Sequence, residues 1–319
     1  TSPLLEKTRK KISMFTNVTA GDVFSCHDVK SIFMIPQMLY EQGLVEVIFK
    51  KFAKVGYVNA SENWDTWNTI VNSLQITENP IKIAMVGKYV TLADSYVSVN
   101  EALKHASASI NSSVSIDWID SETLNGDIKK LSDYKGILVP GGFGTRGSEG
   151  IIETTSFALE QNIPFLGICF GFQLAAVSFG RSVCKLEEAN STEISVDTKH
   201  PIIGLLPEQE GVSNMGGSLR LGANEINVNK NSLAHKIYNS EIIYKRHRHR
   251  YEFNTKYREQ FQKNGMNFTA ESDNGKRMEV LEVPSHKFFF GVQFHPEFSS
   301  RPGFPEQTFK AFVSAASQN

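Results

Sequence analysis

The chain has 319 residues, 40% hydrophobic and 21% charged, and its 33 Lys+Arg against 34 Asp+Glu leave a net charge of −1. This composition excludes a disordered chain, and three cysteines exclude a disulfide-stapled mini-protein. Charge balance gives no basic field for nucleic acid, and no run approaches the roughly 20 apolar residues of a membrane span.

In chain order, KISMF (11–15) reads as a short strand and VFSCHDV (23–29) as another. Residues 32–52 carry a helical apolar pattern broken at Pro36 and Gly43. This is too little to enclose a core, so residues 1–55 read as the tail of a larger domain. Residues 56–79, polar with Trp64 and Trp67, read as a linker containing a short helix. From residue 80 strands and helices alternate: strands at 81–87, 115–120, 136–142 and 163–169, helices at 97–110, 149–162 and 170–180. Strand candidates follow at 241–248, 267–272, 278–283 and 287–297, with helices at 257–265 and 305–317. Continuous apolar strands between helices predict an α/β fold, an open, mostly parallel sheet covered by helices on both faces, over 80–319.

The sharpest local signal is LGICFGFQLA (166–175). A buried strand ends at Cys169, glycines at 167 and 171 permit a sharp turn, and a helix begins. This is the nucleophile-elbow layout with cysteine for serine. A helix N-terminus favours thiolate. The competing reading is a packed core cysteine. In VQFHPE (292–297), His295 and Glu297 are two apart, so Glu297 could hold one imidazole nitrogen while the other faces Cys169. Alone, such a pair is usually a surface hydrogen bond; beside the cysteine elbow it points to a base and its orienting group. The glycines of LVPGGFGTRG (138–147) could turn backbone N–H groups toward a developing oxyanion, or merely shape a loop. Arg246-His247-Arg248-His249-Arg250 lacks the Cys/His support of a metal site and the aromatics of a nucleic-acid face. Its ordinary reading is a solvated charged strand. Cys26 and Cys184 lack glycine elbows and read as structural.

GICFGFQ, FHPE and PGGFG together resemble the class I glutamine amidotransferases, which have a flavodoxin-like sheet. KISMF, HDVKSIFMIP, MVGKY, DSYVSVNEALKHA, VPGGFGTRGSEG, ANSTEI, MGGSLRLG, RHRHRYEFN and FHPEFSSRP extend the resemblance to the CTP synthase family, from about Lys11 to the end. The resemblance implies hydrolysis of L-glutamine to glutamate and ammonia by Cys169, His295 and Glu297, without a cofactor or metal in that step. It implies an oxyanion hole from the N–H groups of Gly142 and Phe170. Glutamine would be bound by Gly142, Phe170, Gly171, Phe172, Gln173, Glu193 and Arg250, with Glu193 on its ammonium and Arg250 on its carboxylate. Phe170 and Phe172 stand where the family often has Leu and Met, which bears on pocket shape.

In the remnant, Lys11 aligns with a family lysine that contacts UTP and CTP, and His27, Asp28 and Val29 with residues near the ATP adenine. Without the rest of an amidoligase domain these form no working site. The resemblance implies ATP and Mg for that ligase domain, GTP as an activator, and passage of ammonia for amination of UTP to CTP. Further expectations are a cytoplasmic location, a monomer or weak dimer for this chain and a tetramer for the full-length enzyme, with no nucleic-acid or membrane partner. The alternatives are a non-catalytic regulatory or assembly module keeping the fold, and another class I amidotransferase.

Overall fold

A computed structural model of the chain describes residues 2–52, 61–74, 78–90, 92–124, 127–205 and 219–319. Of the expected linker, 56–60 and 75–77 lie outside the described residues, as does Met215-Gly216-Gly217 of MGGSLRLG. The chain divides into two compact units, residues 1–75 and 76–319.

The described part of the first unit is helical: α1 (Glu6–Thr16), α2 (Ile35–Glu41), α3 (Leu44–Lys51) and α4 (Ser61–Leu74). Two expectations are corrected here. KISMF lies inside α1, none of whose residues is buried; charged helix formers around it, and no strand to pair with among the described residues of this unit, favour internally bonded backbone. VFSCHDV is extended but joins no sheet. The Gln42 amide takes the place of a neighbouring strand: its Oε1 accepts from the Ser25 N–H (2.8 Å) and its Nε2 donates to the Ser25 carbonyl (2.9 Å). Pro36 starts α2 rather than breaking a helix, since a first-turn N–H has no helical partner to lose. Gly43, at φ +81°, separates α2 from α3. Cys26 is exposed, so it is not a packing residue.

The second unit begins β1 (Ile81–Gly87), α5 (Val97–Ala108), β2 (Val114–Asp120), β3 (Gly136–Val139), α6 (Ser148–Glu160), β4 (Phe165–Ile168) and α7 (Phe170–Ser182). It continues with β5 (Ala189–Ser191), β6 (His200–Leu205), β7 (Arg220–Val228), α8 (Leu233–Tyr238), β8 (Ile242–His249), β9 (Tyr251–Phe253) and α9 (Arg258–Lys263). The remainder is β10 (Asn267–Ser272), β11 (Arg277–Glu282), β12 (Phe289–Val292) and α10 (Gln307–Ser317).

Nine strands form one sheet in the order β2-β1-β3-β4-β12-β11-β10-β7-β8, and β5-β6-β9 form a second. The first five positions are parallel and follow the flavodoxin-like order. The last four strands extend the sheet antiparallel, so it is mixed. Two cores cover its faces. One packs Val139, Phe165 and Phe172 with Ile151 of α6 and Val177 of α7; the other packs Met85, Leu166 and Phe290 with Leu103 of α5 and Phe312 of α10. Each such buried side chain contributes about 1.5–3 kcal/mol. The strand expected over 287–297 ends at Val292, and a short 3-10 turn spans Pro296–Ser299.

Candidate active site

Cys169 sits between the end of β4 and the start of α7 with φ +53° and ψ −97°, a conformation hostile to residues with a Cβ. Neighbouring contacts enforce the turn. A Cβ on Gly167 would lie 2.7 Å from the Gly171 carbonyl, and one on Gly171 would lie 2.3 Å from the Val139 carbonyl oxygen. The Cys169 N–H donates to the Val292 carbonyl at 2.7 Å, which ties the position of this cysteine to β12.

His295 lies three residues beyond β12, and its N–H donates to the Arg246 carbonyl of β8 at 2.8 Å. Its Nδ1 is 2.8 Å from Glu297 Oε1, leaving Nε2 for the thiol. A Cβ on Gly141 would approach His295 Cε1 to 2.9 Å and Cys169 Cβ to 3.8 Å, so the imidazole packs against a bare backbone. Burial alone would lower the imidazole pKa. The charge and hydrogen bond of Cys169, with the hydrogen bond to Glu297, outweigh it and raise the pKa to about 11. Cys169 Sγ also lies 3.8 Å from Gln293 Nε2 and 3.9 Å from the Arg248 carbonyl oxygen.

A cavity of about 540 Å³ opens over this cysteine, and Gly142, Cys169, Gln173, Glu193, Arg250, His295 and Glu297 all line it. Burial pushes the Glu193 carboxyl up, against the Gly144 N–H and the charges of Lys88 and Arg250. A desolvated carboxylate near a guanidinium suits a ligand carrying both an ammonium and a carboxylate. The first amides of α7, including that of Phe170, have no acceptor within the helix. Among the expected glutamine contacts, Gly171 and Phe172 do not line the cavity. The direction of a Gly171 side chain runs into Val139, and Phe172 is fully buried in the core. Phe170 is likewise buried and does not line the cavity.

The five-residue basic run resolves by strand alternation. Along β8, Arg246 and Arg248 are exposed, while His247 and His249 are buried. His247 Nε2 pairs with Glu279 Oε2 and His249 Nε2 with Glu252 Oε1, each at 2.8 Å. Among the described residues no group of three or more His, Cys, Asp or Glu is placed to hold a metal. Cys184 is buried, and burial raises its thiol pKa to about 11. In the first unit Lys11 and Asp28 are exposed, His27 and Val29 half-buried, and His27 Nδ1 is 3.2 Å from Ser25 Oγ. Two further residues at this site, Gln293 beside Cys169 and Lys88 bonded to the loop after β3, lie within VQFHPE and MVGKY but are not distinguished by the sequence except that Lys88 is a lysine directly after a buried strand.

The model of the glutamine amidotransferase class-I family matches residues 91–315, and the chain belongs to that family. A second family model, described as CTP synthase N-terminus, matches residues 1–54. Within the class, the chain belongs with the CTP synthases. It is 46% identical to the CTP synthase of Archaeoglobus fulgidus over 97% of this chain and 57% of that protein. It is 44% identical to that of Staphylococcus epidermidis over 98% of this chain and 58% of that protein. A solved structure described as the glutaminase domain of Trypanosoma brucei CTPS with bound acivicin matches with TM-score 0.71 and 37% identity, over 75% of this chain and 94% of that one. The chain spans less than three-fifths of the length of these curated relatives. Among its described residues no single helix is long and apolar enough to cross a membrane.

Proposed function

We propose that residues 76–319 hydrolyse L-glutamine, with Cys169 as nucleophile, His295 as acid and base, and Glu297 as the group orienting His295. The observation that carries this reading is Cys169 at φ +53°, at the head of α7 and beside an imidazole already bonded to Glu297. The thiolate attacks the side-chain amide carbon, and the oxygen gains negative charge against the N–H groups of Gly142 and Phe170. The C–N bond then breaks as the imidazolium gives its proton to the leaving nitrogen, which departs as ammonia. Water attacks the thioester, the imidazole takes a proton from it, and glutamate leaves, restoring thiolate and imidazolium. Glu193 receives the substrate ammonium and Arg250 its carboxylate.

The names of the relatives support a wider inference. In the longer protein the ammonia passes to a ligase domain, where ATP and Mg drive amination of UTP to CTP and GTP activates the glutaminase step. Lys11, His27, Asp28 and Val29 belong to that nucleotide-binding half. The test is glutamate release from glutamine by this chain beside Cys169→Ala, together with labelling by diazo-oxo-norleucine. Turnover or labelling confined to the wild-type thiol supports the reading. Neither turnover nor labelling would turn the assignment toward a non-catalytic module.

A further inference from the structure

Lys88 follows directly on β1 and is buried, with 4% exposure, although it carries an ammonium. Its Nζ donates to two consecutive carbonyls of the loop after β3, those of Phe143 (2.9 Å) and Gly144. It also lies 4.1 Å from the centroid of the Phe170 ring, a cation–π contact. The same ring lies 3.5 Å from where a Cβ on Gly142 would stand. On the far side of the loop, the Gly144 N–H donates to Glu193 Oε1 at 2.8 Å.

These contacts meet on one peptide group. The Phe143 carbonyl and the Gly144 N–H belong to the same planar unit, and no peptide bond among the described residues is cis. In a trans peptide the two groups point in opposite directions. One end of the plane is therefore held by a cation and the other by an anion, which leaves a single orientation. Gly144 accommodates it at φ +77°. Lys88 is itself fixed from behind, because Arg146 Nη2 donates to its carbonyl at 2.6 Å and Arg146 pairs with Glu122 at 2.8 Å.

Resting on the glutaminase reading, we infer that Lys88 is a positioning residue for this reaction: with Glu193 it clamps the Phe143–Gly144 peptide and so aims the Gly142 N–H at the developing oxyanion. Glu193 then has two tasks. It holds the loop, and it receives the substrate ammonium, so seating the substrate and setting the oxyanion donor are linked through one carboxylate. Burial brings the Lys88 pKa down to about 8, partly against the charge of Glu193. That is what an ammonium kept dry to hold two carbonyls experiences.

The experiment separates tetrahedral binding from ground-state binding. The γ-aldehyde analogue of glutamine adds the Cys169 thiolate at its aldehyde carbon, forming a C–S bond while the C=O π pair moves onto the oxygen, which faces the same N–H donors or takes the proton held by His295. Glutamate fills the same cavity without that bond. Each is titrated as a protector of Cys169 against iodoacetamide, in the wild-type chain, Lys88→Met and Lys88→Gln. Lys88→Met is expected to weaken the aldehyde about tenfold to a hundredfold, and glutamate by less than about threefold, with the unprotected alkylation rate unchanged. Lys88→Gln, which keeps one donor, is expected to lose several-fold of aldehyde affinity, and it decides the matter if Lys88→Met does not fold. An aldehyde-to-glutamate ratio equal to wild type in the folded variants overturns the role of Lys88. So does an equal loss for both ligands. A wild-type chain that the aldehyde does not protect instead overturns the glutaminase reading itself.

Discussion

At Cys169 the backbone holds φ +53° and ψ −97°, which a side chain resists and glycine tolerates. Cys169→Gly is therefore expected to be more stable than Cys169→Ala by about 1 kcal/mol, read from chemical denaturation. Equal midpoints would mean that the turn is not strained. The neighbouring imidazole gives a second prediction. With its pKa raised to about 11 chiefly by Cys169 against burial, His295 stays protonated through neutral and mildly alkaline pH. In Cys169→Ala the sulfur is gone and only Glu297 supports the charge. The ring should then release its proton at a lower pH, visible in its Cε1–H shift by NMR. Identical titrations in the two proteins would contradict the pairing.

Among the elements, β8 supplies the Arg246 carbonyl to the His295 N–H and the Arg248 carbonyl beside Cys169 Sγ. Its hold depends on charges buried on its other face. Glu279 is fully buried, 2.7 Å from Arg220 and 2.8 Å from His247. Burial alone would raise its pKa, but His247 and Arg220 outweigh this and hold the carboxyl below its ordinary 4.5. A depressed carboxyl contributes stability above its unfolded pKa, and that contribution is lost as pH falls below about 4.5 toward the folded value. Glu279→Ala leaves His247 and Arg220 without this partner and is expected to destabilise by about 3–5 kcal/mol. A thermal midpoint near that of wild type would show that β8 is held by other means.

For the molecule as a whole, the parallel half of the main sheet was legible because buried strands such as GILV and FLGI are continuous apolar runs. The antiparallel extension was less so. In β7 only Ile226 and Val228 are buried, while the apolar Leu221 is exposed, so its sequence carries no clean alternation of apolar and polar residues. The proposed triad was legible because the strand, glycines and helix start around Cys169, and the His295–Glu297 spacing, are local in sequence. Lys88 was not, since its acceptors lie 55 and 56 residues away. Phe172 was misplaced because adjacency to a nucleophile in sequence does not set the direction of a helical side chain. The match of residues 1–54 to a CTP synthase N-terminus, beside relatives much longer than this chain, leads to a prediction at this scale. Glutamine hydrolysis by this chain should accelerate when a ligase domain is supplied with its nucleotides, and equal rates would contradict the coupling.

One feature of the sheet bears on how the site responds to heat. Cys169 and His295 leave neighbouring parallel strands, β4 and β12, which are paired from Phe165 with Phe289 to Ile168 with Val292. Their separation is set by the central backbone ladder rather than by a loop. Local openings in proteins begin at frayed ends and exposed connections, and central strands open only with the whole fold. As the protein warms, Glu193 and Arg250, proposed to hold the substrate and lying outside those strands, should loosen first. The thiol and imidazole should stay in register until the second unit melts, so affinity would fade before reactivity does.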